Sequence, residues 1–290
     1  MKRENVMNGQ IIRNQHNHHI PILILYQRKD RKKRLVLELD DNAADVDEPD
    51  VDLAGKRLDI VIRSEKDNME RIFPVFQQKA RDYGAYSEYM ERHGCACCSL
   101  TTILAAYCPQ WKELRPEQTI TVIENSCFGP DAFRKNYGKV MARQMPVSLY
   151  GISEVMRQYG IAHRYIGRFE DKAAYGQIKE HLYRGCPVII ETSRFRRKNG
   201  HIIHWNDKKY AGSYHTMVLL GFNASGNVWF TDSATRSWAG DRQRLKEAAL
   251  PELINYMFPR KNEKDTHVYF SRRRNTGGYI LVDEKITEPC

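Results

Sequence analysis

Apolar and polar positions change rhythm along this chain, and the change separates a strand-like beginning from a helix-bearing middle. Ile20–Tyr26 and Leu35–Leu39 are short apolar runs on either side of a basic cluster, which predicts a β-hairpin. Asp40–Asp52 is acidic and aperiodic, hence a loop, and the alternation in Arg57–Arg63 predicts a third strand. From near Ile72 the spacing becomes helical. Leu100, Ile103, Leu104 and Tyr107 recur on one face, and Pro109 stops the run. Extended backwards, that stripe buries Ala96 and Cys97. Cys95 lies about 200° around the helix from Cys97, so it is expected at the helix start, pointing away from the core, with Gly94 as a tight turn before it.

Further elements follow in order. Pro116 opens a helix to about Cys127, and Ser148 is the expected N-cap of a helix burying Leu149, Ile152, Val155 and Met156. Ile161–Ile166 reads as a strand, Lys172–Arg184 as a helix closed by Gly185, and Cys186–Glu191 as a buried strand. Tyr214–Phe222 is a second buried strand; Asn223–Gly226 is a turn and Asn227–Asp232 the returning strand. Pro251–Phe258 is a short helix, and Val268–Phe270 and Tyr279–Val282 are strands. Helices come first and most strands later, the order of an α+β protein.

At 290 residues the chain can hold one large core, or one core and a small appendage. Its longest early apolar run, Ile20–Tyr26, is too short to span a bilayer and lies behind a polar segment, so no signal peptide or membrane association is expected and the default compartment is the cytoplasm. The seven cysteines include at least one that cannot pair internally, and Cys95, Cys97 and Cys98 crowd too closely for a disulfide framework. Cys108, Cys127 and Cys186 are expected to be small apolar core residues. The net charge of +10 is concentrated in Arg28–Arg34, Arg194–Lys198 and Arg272–Arg274. Each cluster lies between strand-like segments and is expected to be a solvated loop; no nucleic-acid-binding motif accompanies them. The polar start, Met1–His19, accounts for His16, His18 and His19, and Trp229 and Trp238 are expected in the core or a cleft wall.

Cys95, His215 and Asp232 are the residues expected to carry the chemistry. A cysteine at a helix N-terminus would feel the positive end of the macrodipole, which favours the thiolate. If the hairpin turns about Ala224–Ser225, His215 lies opposite Ala234, and Asp232 is its diagonal neighbour on the same face at roughly 7–8 Å. A carboxylate-steered imidazole is the base a cysteine nucleophile needs. His93, Cys95, Cys97 and Cys98 are the alternative, a zinc set. Adjacent cysteines rarely point at one ion and no second ligand pair completes a tetrahedron, so neither metal nor cofactor is expected.

These segments resemble the bacteriocin-processing, double-glycine peptidase-like family of papain-fold cysteine peptidases of bacteria. The family's Gly-Cys-Gly-Pro-Thr-Ser-Leu segment appears as Gly94-Cys95-Ala96-Cys97-Cys98-Ser99-Leu100, with Ala96 and Cys97 in place of Gly and Pro. Its Gly-x-Pro strand appears as Gly185-Cys186-Pro187-Val188-Ile189-Ile190, its His strand as His215–Gly221, and its Asp-Pro as Asp232-Ser233. Phe73-Pro74-Val75-Phe76-Gln77-Gln78 resembles the lead-in to its oxyanion-hole glutamine, favouring Gln78 over Gln77. The resemblance runs roughly from Phe73 to Phe258. It implies a papain-like α+β fold, with a catalytic helix early in the domain packed on an antiparallel sheet. Residues 72–290 would form the peptidase domain and residues 1–71 a small, β-rich N-terminal extension. It implies a thiol hydrolase cleaving a peptide or protein substrate through Cys95, His215 and Asp232 and a thioester, with Gln78 at the oxyanion. Acyl or peptidyl transfer by the same residues, or an inactive peptide-binding module of the same fold, are the alternatives.

Overall fold

The unbroken apolar runs of the two buried strands become adjacent strands in the middle of a six-stranded sheet. The computed structural model describes residues 20–29, 32–38, 58–63, 70–78, 83–136, 147–207, 209–210, 214–223, 225–234, 245–259 and 277–286. Strands β1 (Ile20–Lys29), β2 (Lys32–Glu38), β3 (Leu58–Arg63) and β4 (Glu70–Val75) make a four-stranded sheet in the order β2-β1-β3-β4. The expected hairpin and third strand are therefore present; β3 runs parallel to β1, and β4 antiparallel to β3. β4 also packs on the first helix, α1 (Ser87–Tyr107), where Thr102 donates to the Pro74 carbonyl at 2.6 Å.

Helices α2 (Pro116–Asn136), which continues past Cys127, and α3 (Leu149–Gln158) follow. The Ser148 hydroxyl caps α3, accepting from the Gly151 N–H at 3.0 Å. Next come β5 (Ile161–Ile166), α4 (Asp171–Tyr183), β6 (Val188–Ser193), β7 (Arg196–Lys198), β8 (His201–His204) and β9 (Tyr214–Phe222). The chain continues through β10 (Val228–Thr231), β11 (Leu245–Ala248), α5 (Leu250–Tyr256) and β12 (Tyr279–Ile286). The large sheet has the order β11-β10-β9-β6-β12-β5 and is antiparallel throughout.

Both faces of the middle of that sheet are covered, which explains why β6 and β9 lack polar alternation. Ile189, Val218, Leu220, Ile280 and Val282 face the core shared with α1, α2 and α3. Their neighbours Ile190, Met217, Leu219 and Leu281 face the core shared with α4 and α5. The mixture of helices and antiparallel sheet is the α+β, papain-like architecture. Cys97, Cys108 and Cys186 are buried free thiols within it. Among the described residues, no helix is long and apolar enough to cross a membrane.

Two expectations are corrected. The helix carrying Cys95 does not start there: α1 begins at Ser87, two turns earlier. Tyr89 and Met90 extend its buried face, and Glu88 pairs with Arg92 one turn on at 3.1 Å. Gly94 is no turn residue. A Cβ there would lie 2.7 Å from Met90 Cε and 3.3 Å from Gln78 Cβ, so the missing side chain admits those two neighbours. Second, the basic clusters are not all loops. Arg28–Lys29 and Lys32–Arg34 belong to β1 and β2, and Arg196–Lys198 is β7. Arg197 is buried because its guanidinium finds the Met257 carbonyl at 2.7 Å and Asp171 Oδ1 at 2.8 Å. The expectations for Met1–His19, Trp238, Val268–Phe270 and Arg272–Arg274 lie outside the described residues.

Gly278, where the chain enters β12, has φ +99°, and a Cβ there would meet the Ile166 carbonyl oxygen at 2.2 Å and Gly167 Cα at 2.8 Å. Both obstacles are backbone and cannot swing aside. Gly278→Ala is expected to destabilise the protein by at least about 2 kcal/mol. Thermal unfolding of the two proteins checks this; an unchanged Tm would contradict the close approach of β12 to β5.

Candidate active site

Cys95 sits inside α1, buried, with its Sγ 3.9 Å from the Thr216 hydroxyl of β9. Ser99, one turn on, donates to the Thr216 carbonyl at 3.1 Å and pins the helix to the strand. The sulfur thus faces the start of β9, where Tyr214, His215 and Thr216 follow one another. As an interior helical residue, Cys95 directs its backbone N–H toward the Glu91 carbonyl rather than out from a helix end. The expected outward projection and end-of-helix dipole are therefore absent.

The partner of His215 depends on strand register. Near the turn, Val228 pairs with Phe222 and Trp229 with Gly221; past a bulge, Phe230 pairs with Leu219 and Thr231 with Val218. The bulge shifts the pairing by one residue, and continuing the later register sets His215 opposite Ala234, as the sequence led us to expect. A one-residue slip reverses which face each side chain takes. Without the bulge, Asp232 would point away from His215. With it, Asp232 Oδ1 lies 2.7 Å from His215 Nε2. A carboxylate can only accept, so Nε2 carries the proton and Nδ1 is left for the thiol. Asp232 is held in turn by Lys246 Nζ at 3.0 Å and the Ala234 N–H at 2.9 Å.

Electrostatics single out Cys95 from its neighbours. Burial pushes its thiol up, but the hydrogen bond and charge of His215, with help from Thr216 and Tyr214, outweigh burial and bring the pKa below the ordinary value. Burial raises Cys97 to about 12 and Cys98 well above its usual value, and the charge of Cys95 adds to both. For His215, burial works against the charged form, but Asp232 and then Cys95 overcome it and raise the pKa to about 10. Burial opposes ionisation of Asp232 too, yet His215 and Lys246 hold it below the usual carboxylate range. The pair is therefore biased toward thiolate and imidazolium.

The model of the Peptidase_C39 like family matches residues 71–256, more than half of the chain, and its match spans Gln78, Cys95, His215 and Asp232. The chain belongs to that family. No curated protein and no solved structure matches it. Membership points this C39-like chain to peptidase activity and implies a peptide or protein substrate.

Gln78 of this C39-like chain is buried between α1 and the turn after β10. Its side-chain amide donates to the Glu91 carbonyl at 2.8 Å, its Oε1 accepts from the Ser233 hydroxyl at 3.2 Å, and its backbone N–H donates to the Ser233 carbonyl at 2.9 Å. It lies against Gly94, next to Cys95. Gln77 is half-buried, with its carbonyl taken by the Tyr83 hydroxyl at 2.7 Å.

Three side chains at the site were missed by sequence reasoning. The Tyr214 hydroxyl lies 3.5 Å from His93 Nδ1, and Tyr214 contributes to lowering the Cys95 pKa. Lys246 reaches Asp232 from β11, and Ser233 holds Gln78. Tyr214 and Ser233 adjoin His215 and Asp232 in sequence, a signal that was available. Lys246 follows the segment at 235–244 and carried none. Among the described residues, no group of three or more His, Cys, Asp or Glu side chains could hold a metal ion.

Asp232→Asn keeps the side-chain shape and removes the charge that lifts His215. The His215 midpoint is expected to fall from about 10 by one unit or more. An NMR titration of the imidazole measures it, and an unmoved midpoint would show that the carboxylate does not govern this histidine.

Proposed function

We propose that this protein is a cysteine peptidase that hydrolyses a peptide bond through Cys95, His215 and Asp232. The observation that carries the reading is the buried hydrogen bond of Asp232 to His215, near the start of the strand that Cys95 faces, with the Cys95 pKa lowered while those of its neighbours rise. Cys95 Sγ attacks the scissile carbonyl. His215 Nδ1 holds the thiol proton and delivers it to the departing amine, leaving a thioester. Water, losing a proton to the same nitrogen, then attacks the thioester and releases the acid. Asp232 keeps the imidazole in the tautomer with the proton on Nε2 and stabilises its cation. Because the Cys95 N–H is directed along the helix, the donors for the developing oxyanion are the second amide hydrogen of Gln78 and the Tyr214 hydroxyl. Residues 72–290 form the peptidase unit and residues 1–71 its extension, a division supported by the family match beginning at residue 71.

One observation favours the second reading, an inactive peptide-binding module: Cys95 is only 2% exposed. Reactivity separates the two. A thiol pKa below the ordinary value means that thiolate persists as pH falls, so iodoacetamide is expected to label Cys95 selectively at neutral pH. In His215→Ala the largest contributions that lower the pKa vanish, and burial is opposed only by the smaller ones of Thr216 and Tyr214. The labelling midpoint should then move above the ordinary thiol value of 9.0, and the neutral rate should fall by roughly tenfold or more. Cys95→Ala should abolish peptide hydrolysis while leaving the Tm near that of the parent. A midpoint at the ordinary thiol value, unmoved by His215→Ala, would establish the inactive module instead.

A further inference from the structure

Between β6 and β9 the chain leaves the large sheet as a two-stranded arm, β7 and β8, with Arg196 opposite His204 and Lys198 opposite His201. The arm departs from the rungs that carry the proposed base: Thr192 pairs with His215 and Ser193 with Tyr214. Its root is firmly held. Buried Arg197 bonds to Met257 and Asp171 and lies over the rings of Phe169 and Phe258, 5.7 and 5.1 Å from their centroids. Phe195 packs edge-on to Trp205 at 5.4 Å and against Phe258 at 5.7 Å.

The exposed side chains of the arm have a different character. Trp205 is 68% exposed and Ile203 53%, more than any other large apolar side chain among the described residues. Arg194, Arg196 and Lys198 are exposed at every second position, while Arg197 between the last two turns inward. Among the described residues no ion pair joins these three cations to an acid. Asp207, the acid at the base of the arm, is engaged by the Tyr256 hydroxyl at 2.7 Å and the Lys209 N–H at 3.2 Å, and it feels the charges of His204 and Arg196 without pairing directly with either.

We propose that the arm is a docking surface for the substrate, taking an extended acidic segment of the peptide in which aspartate or glutamate alternates with apolar residues. The inference rests on the peptidase reading above and adds the class of peptide to it. Alternate side chains of an extended chain recur every ~6.6–6.8 Å, the spacing of alternate positions along β7. Phe195 and Trp205 take the face of the arm opposite Arg194, Arg196 and Lys198, so an extended peptide along its edge sets its acids toward the cations and its apolar residues toward Trp205, and a tryptophan already packed on Phe195 loses little freedom on binding. A peptide gripped there lies at the strand ends that lead to His215.

The test uses the full chain carrying Cys95→Ala, so that the probe is not cut. The probe is a fluorescein-labelled dodecapeptide of alternating glutamate and leucine, followed by fluorescence anisotropy. Comparators are its lysine–leucine counterpart, a twelve-nucleotide oligothymidylate and phosphatidylglycerol vesicles. The acidic peptide is expected to bind best. Arg196→Glu with Lys198→Glu should weaken it about tenfold at low salt, less so at high salt. Arg196→Lys with Lys198→Arg should retain binding, and Trp205→Ala should weaken it. All these side chains are exposed, so an unchanged Tm controls for folding. Equal binding of the lysine peptide, indifference to charge reversal, or tighter binding of the oligonucleotide or vesicles would overturn the proposal. The two readings fail separately. An unreactive Cys95 in the parent removes the peptidase while acidic-peptide binding persists; a reactive Cys95 without such binding removes the arm alone.

Discussion

His215 meets Asp232 only because β10 slips by one residue against β9 between Trp229 and Phe230. Side chains on a strand alternate faces, so this single irregularity decides whether the carboxylate shares a face with the imidazole or turns its back on it. Much else hangs on that choice. Asp232 draws Lys246 over from the neighbouring strand and takes the Ala234 N–H, and Ser233 beside it ties Gln78 to the same turn. Gln78 in turn bonds to the helix that holds Cys95. The strand slip is thus transmitted through short hydrogen bonds to both sides of the thiol.

Burial gives those bonds their weight. A carboxylate, an imidazole and a thiol enclosed in protein would each prefer to be neutral. Here each charged form is offset by a neighbour: Asp232 by Lys246 and His215, His215 by Asp232, and Cys95 by His215. Removing any one leaves an uncompensated group in a poorly solvated place, which is why the neighbouring cysteines, lacking such a partner, stay protonated.

The sequence disclosed the parts of the fold in which local pattern and tertiary need agree. The apolar runs at 188–190 and 217–222 read as buried strands, and Ser148 before an amphipathic stretch read as its cap, and both are found. The hairpin register was legible beyond the bulge because folding about Ala224–Ser225 gives the pairing that the bulge restores. What stayed hidden depended on distant partners. The early start of α1 requires Tyr89 and Met90 to find a core, and Gly94 is tolerated there because Met90 and Gln78 use its empty space. Arg197 looked like surface charge because its acceptors, Met257 and Asp171, lie far along the chain. Lys246 gave no local sign of its bond to Asp232 for the same reason.

A cysteine at a helix tip would gain some of its acidity as soon as the helix formed. Cys95, two turns inside α1, gains none that way. Its acidity arrives only when β9 docks and the bulged hairpin closes, so the thiol behaves as a reporter of finished assembly. A chain emerging from synthesis, or one shaken into a loosely packed state that keeps its helices, carries an ordinary and sluggish thiol. The lowered pKa of Cys95 and the finished packing of α1 against β9 arrive together.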